Sequence, residues 1–216
     1  MKQLKIHQHE IQVTVDIVVF TVNEQKLKVL LIQRGIPPFK GQYALPGGFV
    51  LANETLDAAA FRELGEETGT KNVYLEQLYT FGDPKRDPRG RVVTVAYYAL
   101  VPTGKSPLLA GTDAASAGWF PVAALPALAF DHGGIIEYAV SRLRNKLEYT
   151  SVGFELLPKK FTLTTLQMLH EAILGRMLDK RNFRRKILST GLLAASKEME
   201  ITGRKPARLY AFRNTK

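Results

Sequence analysis

Between Gly48 and Gly69 the chain holds charged and glycine residues at fixed distances: Gly48, five residues, Glu54, seven residues, Arg62-Glu63-Leu64, one residue, Glu66-Glu67, one residue, Gly69. Residues 55–68 have helical periodicity, with Leu56, Ala59, Ala60 and Leu64 on one face and acids on the other, and Gly69 stands where a glycine commonly ends a helix. Glu63, Glu66 and Glu67, at i, i+3 and i+4, gather their carboxylates within about one turn. Like charges so placed repel by about a few tenths of a kcal/mol per exposed pair, and by more when desolvated. A divalent cation removes that cost, and hard oxygen ligands suit Mg²⁺ or Mn²⁺. Arg62 stands four residues before Glu66 and is expected to hold it in place. Gly47 and Gly48 allow the backbone close to a metal, which makes the Gly48 carbonyl a candidate further ligand. Most acidic helices are merely solvated faces; the Gly-Gly loop and the arginine set this one apart.

The pattern resembles the signature of the Nudix hydrolases, G-x5-E-x7-R-E-U-x-E-E-x-G-U, where U is a bulky aliphatic residue. Every charged and glycine position is present, and Thr70 occupies the last aliphatic one. The resemblance implies an α/β/α sandwich that hydrolyses a nucleoside diphosphate linked to another group. Catalysis would fall to Arg62, Glu63, Glu66 and Glu67, with Gly48, Glu63 and Glu67 holding the metal and Glu66 assisting. The cation neutralises the diphosphate and lowers the pKa of bound water. Asp113, Asp131 and Glu137 are the candidates for an extra acid in a later loop.

The surrounding sequence suits such a body. Residues 12–22 and 28–32 read as strands around a hairpin at 23–26, residues 73–79 and 92–101 as two more, and 133–147 as a helix with Ile136, Ala139, Val140, Leu143 and Leu147 in phase. Arg34, the Phe39-Lys40-Gly41 turn and residues 86–94 resemble the Nudix branch that handles ADP-ribose. Arg34, Lys40, Arg86 and Arg91 are therefore expected around the diphosphate, with Lys85 and Arg89 evenly balanced between ligand and solvent. Tyr43, Phe49 and Tyr97 are candidates to stack on adenine, though such aromatics more often belong to a core.

The net charge of +10 is unevenly spread. Residues 1–150 carry 16 basic and 15 acidic side chains (+1), whereas residues 151–216 carry 14 and 5 (+9), which suggests a near-neutral body joined to a module that meets a polyanion. The boundary is drawn at 150–158, giving domains 1–150 and 151–216. In the second, residues 162–174 read as an amphipathic helix ended by Gly175, and Asp179 caps a basic helix at 180–189. Strands at 192–195 and 208–212 complete the order of a winged helix-turn-helix. Phe183, Ile187 and Leu188 are expected to face the core, with Lys180, Arg181, Asn182, Arg184 and Arg185 turned to DNA and Arg204, Lys205 and Arg208 holding phosphates from the wing. Met168 and His170 are read as packing residues.

Together the halves resemble the Nudix-related transcriptional regulators of NAD metabolism, through residues 45–50, 86–97, 119–132 and 161–193. The resemblance implies a dimeric, operator-binding repressor whose Nudix domain senses an ADP-ribose-like nucleotide. The nearly whole box keeps open an ADP-ribose pyrophosphatase whose basic domain has another role. Ordinary globular composition excludes a disordered or collagen-like chain, and the lack of cysteine excludes disulfides, thiolate zinc sites and cysteine nucleophiles. Neither a secretory signal nor an apolar run of membrane length is evident, so a soluble, cytoplasmic protein is expected.

Overall fold

The computed structural model describes residues 10–69, 73–102, 114–201 and 206–213. Strands β1 (Gln12–Asn23) and β2 (Lys26–Arg34) form a hairpin whose two turn residues, Glu24 and Gln25, both have positive φ (53° and 56°). This is the primed geometry that follows strand twist. Along β1, Val15, Ile17 and Val19 enter one apolar cluster, and Val18 and Phe20 enter another. Period-two alternation with both sets buried requires cover on both faces of the sheet.

That cover comes from two helices. α1 (Leu56–Thr68) lays Ala59, Ala60 and Leu64 against the first face, and α2 (His132–Tyr149) lays Ile135, Ile136, Ala139 and Leu143 against the second. Thr55 Oγ1 caps α1 by accepting from Ala58 N at 3.1 Å, and Gly69, at φ 63°, ends it in the left-handed region where a Cβ would be strained. β6 (Val92–Leu100) runs parallel to β1, and β5 (Tyr74–Phe81) is antiparallel to β6. The short strands β3 (Tyr43–Ala44) and β4 (Gly47–Phe49) pair with β2 and β1. β7 (Ala114–Pro121) pairs along β2. The body is thus the expected α/β/α sandwich. β7 is not legible in the sequence, because Ala-Ala-Ser-Ala-Gly carries no β-branched residue and the strand exists through its pairing with β2.

After α2, a short 3-10 helix (Val152–Leu156) leads into β8 (Phe161–Thr162), α3 (Leu163–Leu174), α4 (Lys180–Ser189), β9 (Leu193–Glu200) and β10 (Ala207–Phe212). The three strands form a second sheet in the order β8-β10-β9, which completes a winged helix. Thr162 Oγ1 accepts from Thr165 N at 3.0 Å, and Asp179 Oδ1 accepts from Asn182 N at 2.8 Å, so both expected helix starts are capped. Val152, Leu156, Phe161, Leu166, Leu169 and Ile173 belong to the same buried cluster as α2 and β1, so one core runs from the sandwich into the winged helix. Arg144 of α2 adds a hydrogen bond from Nε to Ile173 O of α3 at 2.8 Å. Among the described residues no helix is long and apolar enough to cross a membrane.

Candidate functional site

The chain enters the site through β4. A Cβ on Gly47 would meet Val15 O at 2.2 Å, and one on Gly48 would meet Glu63 Oε1 at 2.1 Å. The Glu63 carboxylate therefore lies directly on the Gly48 backbone. Burial pushes the pKa of Glu63 up, opposed by its hydrogen bond from Arg62 Nη1 at 2.7 Å. A half-buried carboxylate that lies on glycine backbone, with one oxygen bonded by Arg62, fits a divalent cation as a further partner.

Arg62 organises the acids: it pairs with Glu66 as expected and holds two further ones. Its Nε and Nη2 grip Glu54 at 3.1 and 2.8 Å, Nη2 also donates to Phe49 O at 3.2 Å, and Glu66 Oε1 stands 3.6 Å from Nη1. The planar guanidinium matches the Glu54 carboxylate bidentately, and the helical i,i+4 partner Glu66, exposed at the edge, makes the longer ion pair. Hydrogen bonds from Arg62 and from Leu51 N hold the Glu54 pKa low. Glu67 lies in α1, but its side chain, like Thr70 and Asp113, is outside the described residues. Among the described residues no group of three ligating side chains forms.

Arg86 is a correction. It is not open to a ligand: its side chain is 3% exposed, with Nη2 3.1 Å from Asp16 Oδ2 and 2.7 Å from Asp131 Oδ1, and Nε 3.0 Å from Asp131 Oδ2. Asp16, inside β1, gives no local sequence signal of this role. Asp131, one candidate extra acid, is held by Arg86 as well, and another, Glu137, is exposed on α2. Beside them Leu45 N donates to His132 Nδ1 at 2.8 Å, which leaves the ring proton on Nε2, 3.6 Å from Asp16 Oδ1. Burial lowers the His132 pKa.

The other expected ligand residues divide. Arg34 lies 5.0 Å from the Phe130 ring and donates to Pro38 O at 2.8 Å, and Lys40 is exposed in the adjoining turn. Arg89 lies over both Phe49 (5.1 Å) and Phe130 (5.5 Å) while gripping Asp87, so it meets the same Phe130 ring as Arg34. Arg91 is half-buried and donates to Gly82 O at 2.8 Å, bracing the loop after β5. Tyr97 is buried with its hydroxyl donating to Asp57 Oδ1 at 2.6 Å, and Tyr43 packs edge-on against Phe120, so both serve the packing, whereas Phe49 remains 38% exposed. Phe130 was not singled out by the sequence, where it ends an apolar run. Its positive φ of 54° is the tertiary clue, since a bulky residue is rarely held there.

In the winged helix, Phe183 and Ile187 pack on the core, and His170 meets the Phe183 ring at 5.1 Å. Lys180, Arg181, Asn182, Arg185 and Arg208 are exposed. Three expectations change. Leu188 is 47% exposed, because it lies on the far side of α4 from Phe183. Arg184 is half-buried, donating from Nη2 to Thr164 Oγ1 at 3.2 Å, because its position faces α3. Met168 remains partly exposed at the outer side of α3. Arg204 and Lys205 lie outside the described residues.

A sheet between helices, a glycine–carboxylate cradle at its first helix and a winged helix on the same core define a two-domain Nudix protein of the DNA-binding type. Residues 10–139 match the NUDIX domain family, and residues 153–212 match the NrtR DNA-binding winged helix domain family. The chain is 42% identical to the ADPR-responsive transcriptional repressor NtrR of Acinetobacter baylyi over 92% of its own length and 81% of that protein's. It is 46% identical to the ADP-ribose pyrophosphatase of Methanocaldococcus jannaschii over 53% of its length and 66% of that protein's. The crystal structure of Shewanella oneidensis NrtR complexed with a 27mer DNA superposes with a TM-score of 0.83 at 39% identity, covering 93% of each chain. The chain belongs to the NrtR family of Nudix-related regulators.

Proposed function

We propose that this chain is an ADP-ribose-responsive transcriptional repressor that binds operator DNA as a homodimer in the cytoplasm. The observation that carries the reading is that the sandwich bearing the cradle of Gly48 and Glu63 on one face shares, through α2 on its other face, one buried core with a winged helix that presents Lys180, Arg181 and Arg185 outward. The diphosphate is met by Arg34, Lys40 and Arg89 next to Phe49 and Phe130, while Arg86 and Arg91 hold the loops that carry the site. The names of the two curated relatives, a repressor responsive to ADP-ribose and a pyrophosphatase acting on it, support that ligand. A two-fold dimer presents two α4 helices to successive major grooves. ADP-ribose regulates through its differential affinity for the DNA-competent conformation, so DNA must change ADP-ribose affinity by the same factor. A gel shift on the DNA upstream of the protein's own gene, titrated with ADP-ribose, tests this. Operator affinity should move with the nucleotide; no retarded band, or a band indifferent to saturating ADP-ribose, overturns the reading.

A second activity is favoured by the retention of Gly48, Glu54, Arg62, Glu63, Glu66 and Glu67 together. Gly48, Glu63 and Glu67 are the residues that would hold Mg²⁺ (or Mn²⁺), which when bound neutralises the diphosphate and acidifies water. Arg62 aligns Glu63 with the Gly48 backbone and ties Glu54 to the loop. Release of AMP from ADP-ribose with Mg²⁺, abolished by Glu67→Gln, is the expected result. Absence of AMP leaves the domain a sensor alone, and a rate unaltered by the substitution means that Glu67 does not carry the hydrolysis.

A further inference from the structure

The helical period divides α4 into strips. Phe183 and Ile187 face inward. Arg184 follows on the flank toward α3, where it bonds Thr164 and its Nε is buried with no partner among the described residues. Arg181, Asn182, Arg185 and Leu188 share the outer strip, and all four are exposed. The basic residues of α4 are therefore not equivalent.

On that outer strip Arg185 is already held. Its Nη2 donates to Asn182 Oδ1 at 2.9 Å, one turn earlier on the helix. Asn182 is fixed in turn, since its backbone N–H is the one that Asp179 Oδ1 caps. An unbraced arginine loses up to about 2 kcal/mol of rotamer entropy on being ordered, and here part of that loss is incurred before any partner arrives. A guanidinium placed in this way near the N-terminus of a recognition helix matches the O6 and N7 acceptors of guanine. Adenine recognition by asparagine needs the amide oxygen to accept from N6 while the amide nitrogen donates to N7. In Asn182 that oxygen already accepts from Arg185, so an adenine N6 would have to share it.

We propose that Arg185 is the guanine-reading side chain of α4, that Asn182 is a positioning residue bracing it and not an adenine reader, and that Arg184 works inside the domain. The proposal rests on the DNA-binding reading above and specifies which chemical feature of the duplex the site selects.

The test is selection of duplexes from a randomised library by the full-length protein and its variants at one fixed salt concentration. Arg185→Lys keeps the charge and loses the two-pronged geometry. It should lose preference for guanine at one position by roughly five- to 150-fold, while affinity for a random duplex falls much less. Asn182→Ala should weaken the preference at that same position, and the double variant should be no worse there than Arg185→Lys alone. A loss of preference for adenine at a different position in Asn182→Ala overturns the bracing role. A loss in Arg185→Lys spread evenly over all sequences marks Arg185 as a phosphate contact and overturns the assignment while leaving DNA binding standing. If the wild-type protein enriches no sequence, the repressor reading fails with it.

Discussion

The Glu63 carboxylate lies so close over Gly48 that a side-chain carbon there would sit 2.1 Å from its Oε1. Two residues from different elements, β4 and α1, thus leave room for each other only if one has no side chain. Gly48→Ala must push Glu63 out of the cradle. Mg²⁺-dependent binding of ADP-ribose, followed by calorimetry, should weaken by roughly 10- to 100-fold, the range seen when the support of a metal ligand is removed. Unchanged binding would show that Glu63 has no part in holding the metal.

Arg86 is the buried counterion of two acids, Asp16 and Asp131. Burial works against its charge, yet hydrogen bonds and attraction from both carboxylates prevail and raise its pKa. Arg86→Ala leaves the Asp16 charge buried without that partner and should cost about 3–5 kcal/mol in urea unfolding. Combining Arg86→Met with Asp16→Asn and Asp131→Asn should recover most of the loss, because the neutral set has no stranded charge. A single variant as stable as the wild type would refute the structural role.

His170 gives a pH dependence of definite sign. Burial first, and Lys186 second, push its pKa from 6.5 down to about 4. Between these values the unfolded chain binds the proton and the folded chain does not, so stability rises with pH through that window and is lost as pH falls. The loss should reach at most about 3 kcal/mol near pH 4. His170→Phe should flatten this part of the urea-midpoint profile; an unaltered slope would mean that other groups set it.

Arg208 is exposed on β10 of the wing. If it holds a phosphate, Arg208→Ala should weaken all duplexes alike and reduce the slope of log K against log salt by about 0.9. Binding isotherms at several salt concentrations measure this directly. A slope equal to the wild type's removes Arg208 from the DNA contacts.

The features legible in the sequence were local ones. Thr162 and Asp179 cap their helices where the sequence offers candidate caps, and Gly69 and Gly175 end two helices. The acids of α1 and the alternation of β1 likewise follow from spacing within a few residues. Spacing misleads where position depends on distant partners. It predicts Leu188 in the core, where the side chain is exposed, and Arg184 outside, where it reaches Thr164. A ten-residue helix with five cations permits several orientations, and only packing against α3 selects one.

By itself, then, the sequence determined a Nudix-type body with an acidic helix behind a Gly-Gly turn, and a basic winged helix after it, because these rest on short-range periodicity, caps and fixed spacing. Only the tertiary structure decided which charges face a ligand and which neutralise each other. Arg86 meets Asp16 across 70 residues of chain and Asp131 across 45, and Arg34 and Arg89 converge on Phe130 from the end of β2 and from the loop before β6. The reason is physical: a buried charge takes the opposite charge that folding brings to it, and sequence spacing does not record that meeting.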